Sequence, residues 1–155
     1  TIWPIIIATL WVSYKGFNSQ SFFQRYMFQV DAILVKREYI RLISSGFLHA
    51  SWGHLFFNML ALYLFGELMA NFLGPINFLL LYFASLIGAD LLSLFIHKNH
   101  GSYSAIGASG AVSGVLLGYV ALFPYNDIGF IFLPFISFPA WIWGLAYVLI
   151  SIYGI

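Results

Sequence analysis

Two long apolar runs with almost no charge limit what this chain can become more than any other feature. Gly53 to Leu73 and Ile76 to Ile96 are each about 20 residues, the length a helix needs to cross a hydrocarbon core. The first run carries one acid, Glu67, and the second carries one, Asp90. Backbone in lipid has to satisfy its own polar groups, so runs of this kind read as helix. Shorter apolar runs lie at Ile2 to Tyr14, Ile106 to Phe123 and Ala140 to Ile155. Only 7% of the 155 residues are charged, where a soluble domain carries roughly 25%. The expected fold class is therefore all-α: a polytopic membrane helical bundle with five transmembrane helices, in a single domain over residues 1–155.

The same sparse charge narrows the partners. A net charge of +1 gives no electrostatic footprint for nucleic acid. The chain has no cysteine, which excludes disulfides, iron–sulfur clusters and cysteine zinc sites. It starts at Thr1 and ends at Ile155 inside an apolar run, so it reads as a piece of a longer protein. Nothing at its start resembles a cleavable signal peptide with a basic n-region.

Between Asn18 and Trp52 the chain is mixed. Five of the six basic residues fall between Lys15 and Arg41, with Asp31 and Glu38 among them and aromatics such as Phe22, Tyr26 and Tyr39 interleaved. This stretch is too polar to span and too apolar for a loose linker. It reads as short amphipathic helices lying at the headgroups. Its basic residues favour the cytoplasmic side under the positive-inside rule.

Polar residues inside spans usually face the bundle or a wet cavity. His54 and Asn58 are four apart, so they share one helix face. They read either as an interhelical hydrogen bond or as two donors for an oxyanion. Asp90 reads as a proton-relay group or as an acid tied to a polar neighbour. His97 and His100 sit three apart in a loop without the pattern of a metal helix, and read as solvated.

The fourth run holds Gly107-Ala108-Ser109-Gly110, and Gly110, Gly114 and Gly118 recur every four residues. A glycine face lets a second helix approach almost to backbone contact. Ser109 lies near the start of this helix, where unpaired N–H groups and the helix dipole favour negative charge. A serine there is either part of a packing seam or a nucleophile beside oxyanion donors.

Two motifs carry a resemblance. His49-Ala50-Ser51-Trp52-Gly53-His54-Leu55-Phe56-Phe57-Asn58 and Gly107-Ala108-Ser109-Gly110 resemble, in order, the second-span and nucleophile motifs of the rhomboid intramembrane serine proteases. Glu38 to His49 resembles the family's first-loop motif, with Ile40-Arg41 where the family has tryptophan-arginine. The resemblance runs from about Tyr39 to Ile155. It implies a rhomboid-like bundle with a partly embedded first loop on the outer side, against the charge rule. It implies Ser109 as nucleophile, and its own N–H with His54 and Asn58 as oxyanion hole. His49, Arg41, Gly107, Gly110, Gly114 and Gly118 become structural residues near the site, and the glycine face is expected to receive a sixth span. The implied substrates are single-pass transmembrane proteins, with the lipid bilayer as surroundings and no metal or organic cofactor. The expected location is a cell membrane, taken as the bacterial inner membrane.

The sequence also departs from the family. None of His49, His54, His97 and His100 fits the general base, which the family carries on its sixth span. The expectation is a histidine beyond Ile155, with the present stretch unable to turn over. Ser113 stands where an aromatic or bulky residue is common, and Ala70 where an acid is common, with Glu67 nearby. Two other readings stay open. One is an inactive rhomboid-like protein that binds membrane clients. The other is a small transporter with His54, Asn58, Glu67 and Asp90 along a pathway. The soluble hydrolase elbow Gly-x-Ser-x-Gly fails at Ala111.

Overall fold

In a computed structural model, which describes residues 1–129 and 132–153 and side chains as far as residue 149, the chain divides into two compact units, Thr1–Val115 and Leu116–Ile155. The first unit opens with helix α1 (Ile2–Asn18), which has Pro4 in its first turn, where a missing N–H costs little. Ser19 ends α1 in extended geometry and caps α2 (Gln20–Tyr26), its hydroxyl accepting the Phe22 N–H at 3.3 Å. Three short elements follow: β1 (Phe28–Gln29), α3 (Val30–Leu34) and α4 (Arg41–Ser44). A 3-10 turn at Ser45–Phe47 continues α4. The mixed stretch thus forms the short helices its composition suggests.

Arg41 holds this stretch together. Its Nε donates to Glu38 Oε2 at 2.6 Å, and its Nη1 donates to the carbonyls of Gln24 and Met27, each at 2.8 Å. A buried guanidinium is stable only when paired in this way. The expected tryptophan partner is Ile40, which is exposed and takes no part.

The second apolar run becomes α5 (Trp52–Ala61), a π-helical turn at Leu62–Gly66 and α6 (Glu67–Leu73). Gly74, at φ +80°, breaks the helix before α7 (Pro75–Ile96). Trp52–Leu73 and Pro75–Ile96, at 22 residues each, are the two described helices long and apolar enough to cross a membrane. In α7 the inward residues are Phe78, Tyr82 and Leu86, while Leu80, Leu92 and Phe95 are exposed. Water would oppose such an arrangement, whereas lipid favours it.

The fourth run starts as helix later than expected. Ser104–Ala105 forms β2, antiparallel to β1 in the register Phe28↔Ala105 and Gln29↔Ser104. Gly107 then takes φ +114°, which no helix admits. Helix α8 (Ser109–Leu122) therefore begins at Ser109 itself. Its glycine face packs against α7, where a Cβ on Gly110 would stand 2.6 Å from Ala89 Cβ and one on Gly114 would overlap Ser85. Over these two turns the neighbour within this chain is the third apolar helix.

In the second unit, β3 (Asp127–Gly129) pairs with β4 (Ser137–Pro139) as an antiparallel hairpin. Helix α9 (Ala140–Tyr153) follows, with Trp143 Nε1 donating to the Ile128 carbonyl at 2.9 Å. Pro134 stands in a turn before β4, where its ring disfavours helix. The end of the fifth apolar run, residues 154–155, lies outside the described residues.

The fold is mostly helical, with two short strand pairs tying loops together. Among the described residues two helices reach 18 residues with spanning composition, while α1 has 17 residues and α8 has 14.

The glycines give a paired prediction. A Cβ at Gly88, mid-helix in α7, meets nothing within 4 Å. Gly88→Ala is expected to stabilise the protein by about 0.5–1 kcal/mol in mixed-micelle SDS unfolding. Gly114→Ala, overpacked on Ser85, is expected to destabilise it by about 1–3 kcal/mol in the same assay.

Candidate active site

Ser51 sets the start of α5. Its hydroxyl accepts the backbone N–H of His54 at 3.2 Å, which fixes His54 at the third helical position. Asn58 lies one turn on, buried, and its Nδ2 donates to the His54 carbonyl at 3.0 Å. His54 Nδ1 accepts from the Ala50 N–H at 3.4 Å. That contact leaves Nε2 as the nitrogen that carries the proton. The Nε2 edge faces Gly107, where a Cβ would stand 2.7 Å from Cε1 and 3.0 Å from Nε2. Glycine is required at 107 on two counts: its positive φ, and the imidazole edge against it.

The two peptides before Ser109 are pinned. The Gly107 N–H donates to the Ser45 carbonyl at 3.0 Å, and the Ala108 N–H donates to His49 Nε2 at 3.3 Å. Val112 N–H closes the first turn of α8 on the Ala108 carbonyl at 2.9 Å. Ser109 thus stands at the first position of α8 with its side chain exposed, directly after a fully buried Ala108. Its N–H finds no backbone acceptor among the described residues, as expected of a first-turn donor. A hydroxyl, a free peptide N–H and a protonated imidazole edge therefore border one small region of chain.

His49 is the support under that region. Its ring is fully buried, with Nε2 receiving the Ala108 N–H and Nδ1 standing 3.0 Å from Ser13 Oγ on α1. The Ser13 hydroxyl donates onward to the Phe47 carbonyl at 2.7 Å. With Nε2 accepting, Nδ1 carries the proton and donates to Ser13, so every partner is satisfied by the neutral ring. Burial, and then the neighbouring His54 ring at 4.9 Å, pull the His49 pKa down to about 4; a backbone hydrogen bond with Phe47 opposes both.

A rhomboid-domain family model matches residues 36–155. The chain belongs to the rhomboid family. It is 40% identical over 129 residues to Rhomboid protein 1, mitochondrial, of Saccharomyces cerevisiae, covering 81% of this chain and 36% of that protein. It is 31% identical over 153 residues to RHOMBOID-like protein 12, mitochondrial, of Arabidopsis thaliana, covering 89% and 45%. Over 100 residues it is 31% identical to Presenilin-associated rhomboid-like protein, mitochondrial, of Homo sapiens, covering 64% and 26%. The chain spans less than half the length of these relatives. Their mitochondrial names overturn the expectation of a bacterial inner membrane. That expectation had no physical basis in the residues, since an apolar helix of bilayer length suits any membrane of similar thickness.

The remaining residues expected in the rhomboid site fall into two groups. Gly110 and Gly114 lie on the α7 seam, and Gly118 is further along α8. Arg41 staples the first loop and touches neither Ser109 nor His54. The Ser113 hydroxyl donates to the Ser109 carbonyl at 2.6 Å, one turn back along α8. Glu67 is exposed, whereas Asp90 accepts from Ser45 Oγ at 2.9 Å. The two acids that a transport path would need are thus in different surroundings. His97 stacks on Tyr103 with centroids 3.6 Å apart. Among the described residues no three of His, Cys, Asp and Glu come together as a metal site.

Three polar residues around this candidate site escaped sequence reading in their roles: Ser13, Ser45 and Ser51; Asp90 was read as an acid tied to a polar neighbour, and Ser45 is that neighbour. Ser51 had a legible signal, a serine just before an apolar helical run. Ser45 and Ser13 had none, because their partners lie tens of residues away.

The His49 network generates a pH prediction. The unfolded ring titrates near 6.5 and the folded ring near 4, so between those values the unfolded state binds more protons. Stability is expected to be full above pH 6.5 and to fall as pH drops from 6.5 towards 4. Thermal unfolding in detergent measures this, and His49→Gln should flatten the slope in that window. An unchanged slope in that variant would assign the effect to other groups.

Proposed function

We propose that the full-length protein is an intramembrane serine endopeptidase that cuts single-pass transmembrane substrates near the membrane surface. Ser109 is the nucleophile. Its N–H, His54 Nε2 and the remaining N–H of the Asn58 amide hold the tetrahedral oxyanion. The observation that carries this reading is the His54 edge set against Gly107, two residues before an exposed Ser109 at a helix start. Donors fixed before the reaction stabilise developing charge without reorganising.

In this mechanism the Ser109 hydroxyl attacks the scissile carbonyl and loses its proton to a histidine on a later span. The same histidine then protonates the leaving amine, and water releases the acyl group. The four histidines of this chain do not supply that base. His49 is engaged on both ring nitrogens, His54 faces the oxyanion position, and His97 and His100 lie in the loop after α7. A second reading is a rhomboid-like protein that binds transmembrane clients without cutting them. By analogy with its named relatives, we place the protein in a mitochondrial membrane.

A fluorophosphonate probe with the full-length protein in detergent distinguishes the two readings. The protease reading expects labelling that Ser109→Ala abolishes. It also expects His54→Ala and Asn58→Ala each to lower kcat on a transmembrane reporter by about 10²–10³, with Ser109 still in place. A folded protein that neither labels nor cleaves, yet retains the reporter, would establish the binding reading instead.

A further inference from the structure

A second site, independent of Ser109, lies where α1 gives way to α2. A cleft of about 420 Å³ is lined there by Lys15, Ser19, Ser21, Phe22, Arg25 and Tyr26. It holds two cations and no acid. Lys15 Nζ stands 4.5 Å from the Trp11 ring and 5.2 Å from the Phe22 ring, and Arg25 lies 5.8 Å from the Tyr26 ring. Ring faces hold a cation in place without cancelling its charge. The described residues form one ion pair, Arg41–Glu38, so neither Lys15 nor Arg25 is neutralised by a carboxylate. Ser19 Oγ and Ser21 Oγ are 3.2 Å apart. One hydroxyl hydrogen makes that bond and the other is left to donate. The cleft thus offers two positive charges and a hydroxyl donor between aromatic walls, which suits a phosphate group.

Its surroundings identify what the phosphate is attached to. Trp3, Ile7, Leu10, Trp11 and Tyr14 form an exposed apolar stripe along α1 that ends beside Lys15. Their spacing of three and four residues puts them on one helix face. The volume exceeds that of a bare anion and falls within the range of pockets for larger ligands. A cationic, aromatic cleft at the end of an apolar stripe matches the chemistry of a headgroup above its own acyl chains. We propose that this cleft binds the phosphate of an anionic phospholipid, whose chains lie along the α1 stripe.

Calorimetric titration of the full-length protein in an uncharged maltoside detergent tests this. The probes are dihexanoylphosphatidylglycerol, dihexanoylglycerol, inorganic phosphate and a short polyglutamate peptide. Saturable binding of the phospholipid, tighter than that of the other three, is expected. Lys15→Gln/Arg25→Gln should weaken it by about tenfold or more, since each interfacial cation contributes roughly a factor of five. Lys15→Arg/Arg25→Lys should retain it, which separates charge from packing, and far-UV circular dichroism checks that all variants are folded. Equal binding of dihexanoylglycerol would make this an apolar groove, and equal binding of phosphate a free-anion site. Equal binding of the peptide would make it an acidic-protein surface. Any of these, or unchanged affinity in the double glutamine variant, or no saturable binding, overturns the proposal.

Discussion

One neutral imidazole holds the site in place. His49 joins Ser13 on α1 to the Ala108 peptide before α8, bridging 36 residues in one direction and 59 in the other. The Ala108 contact needs the uncharged ring, because a protonated Nε2 could not accept that N–H. Burial enforces that state, since a low-dielectric interior disfavours charge. The same burial makes the contacts count: a peptide N–H left without an acceptor there costs about 1–3 kcal/mol. Ser109 is exposed, yet the peptide N–H just before it is held by a buried ring.

The second constraint is closeness. Gly107 admits the His54 edge, Gly110 admits Ala89, and Gly114 admits Ser85. Without a hydrophobic drive between helices in lipid, contact area and hydrogen bonds have to hold them together. Small residues maximise both along α7 and α8. A consequence is that the strand pair β1–β2, the Ser45 carbonyl and the glycine seam all fix the entry to α8 from different sides. The chain reaches Ser109 already turned, so in the proposed reaction little entropy is left to lose when an oxyanion forms.

Much of this could be read from the residues. The long apolar runs marked α5 to α7 within a residue or two, because length and composition alone define a spanning helix. The four-residue spacing of His54 and Asn58 placed both on one face, and the glycine period placed a tight seam on α8. What failed had physical causes. Ile106 to Ala108 is as apolar as helix, but the Gly107 and Ala108 N–H groups go to Ser45 and His49, and these partners lie far off in sequence. The glycine seam was legible as a seam, and α7 as its partner within this chain was not, since small residues admit any helix that fits. The hairpin after α8 was hidden by its apolar side chains, although Pro134 marked where helix had to stop. Location was beyond reach altogether, because one bilayer resembles another to an apolar helix.

The acid in the third apolar helix shows how support and chemistry divide. Asp90 does not open towards Ser109; it accepts the Ser45 hydroxyl, and the Ser45 carbonyl accepts the Gly107 N–H. An ionisable group inside a membrane helix is kept only where something needs it. Here it orients a serine whose backbone oxygen holds the peptide that faces His54. His49 and Asp90 thus grip adjacent peptides of one short segment, the first through a side-chain nitrogen and the second through an intervening residue. Their placement explains why a segment of glycine, alanine and serine, which alone would be among the least ordered of sequences, can hold Ser109, the proposed nucleophile, at a defined position.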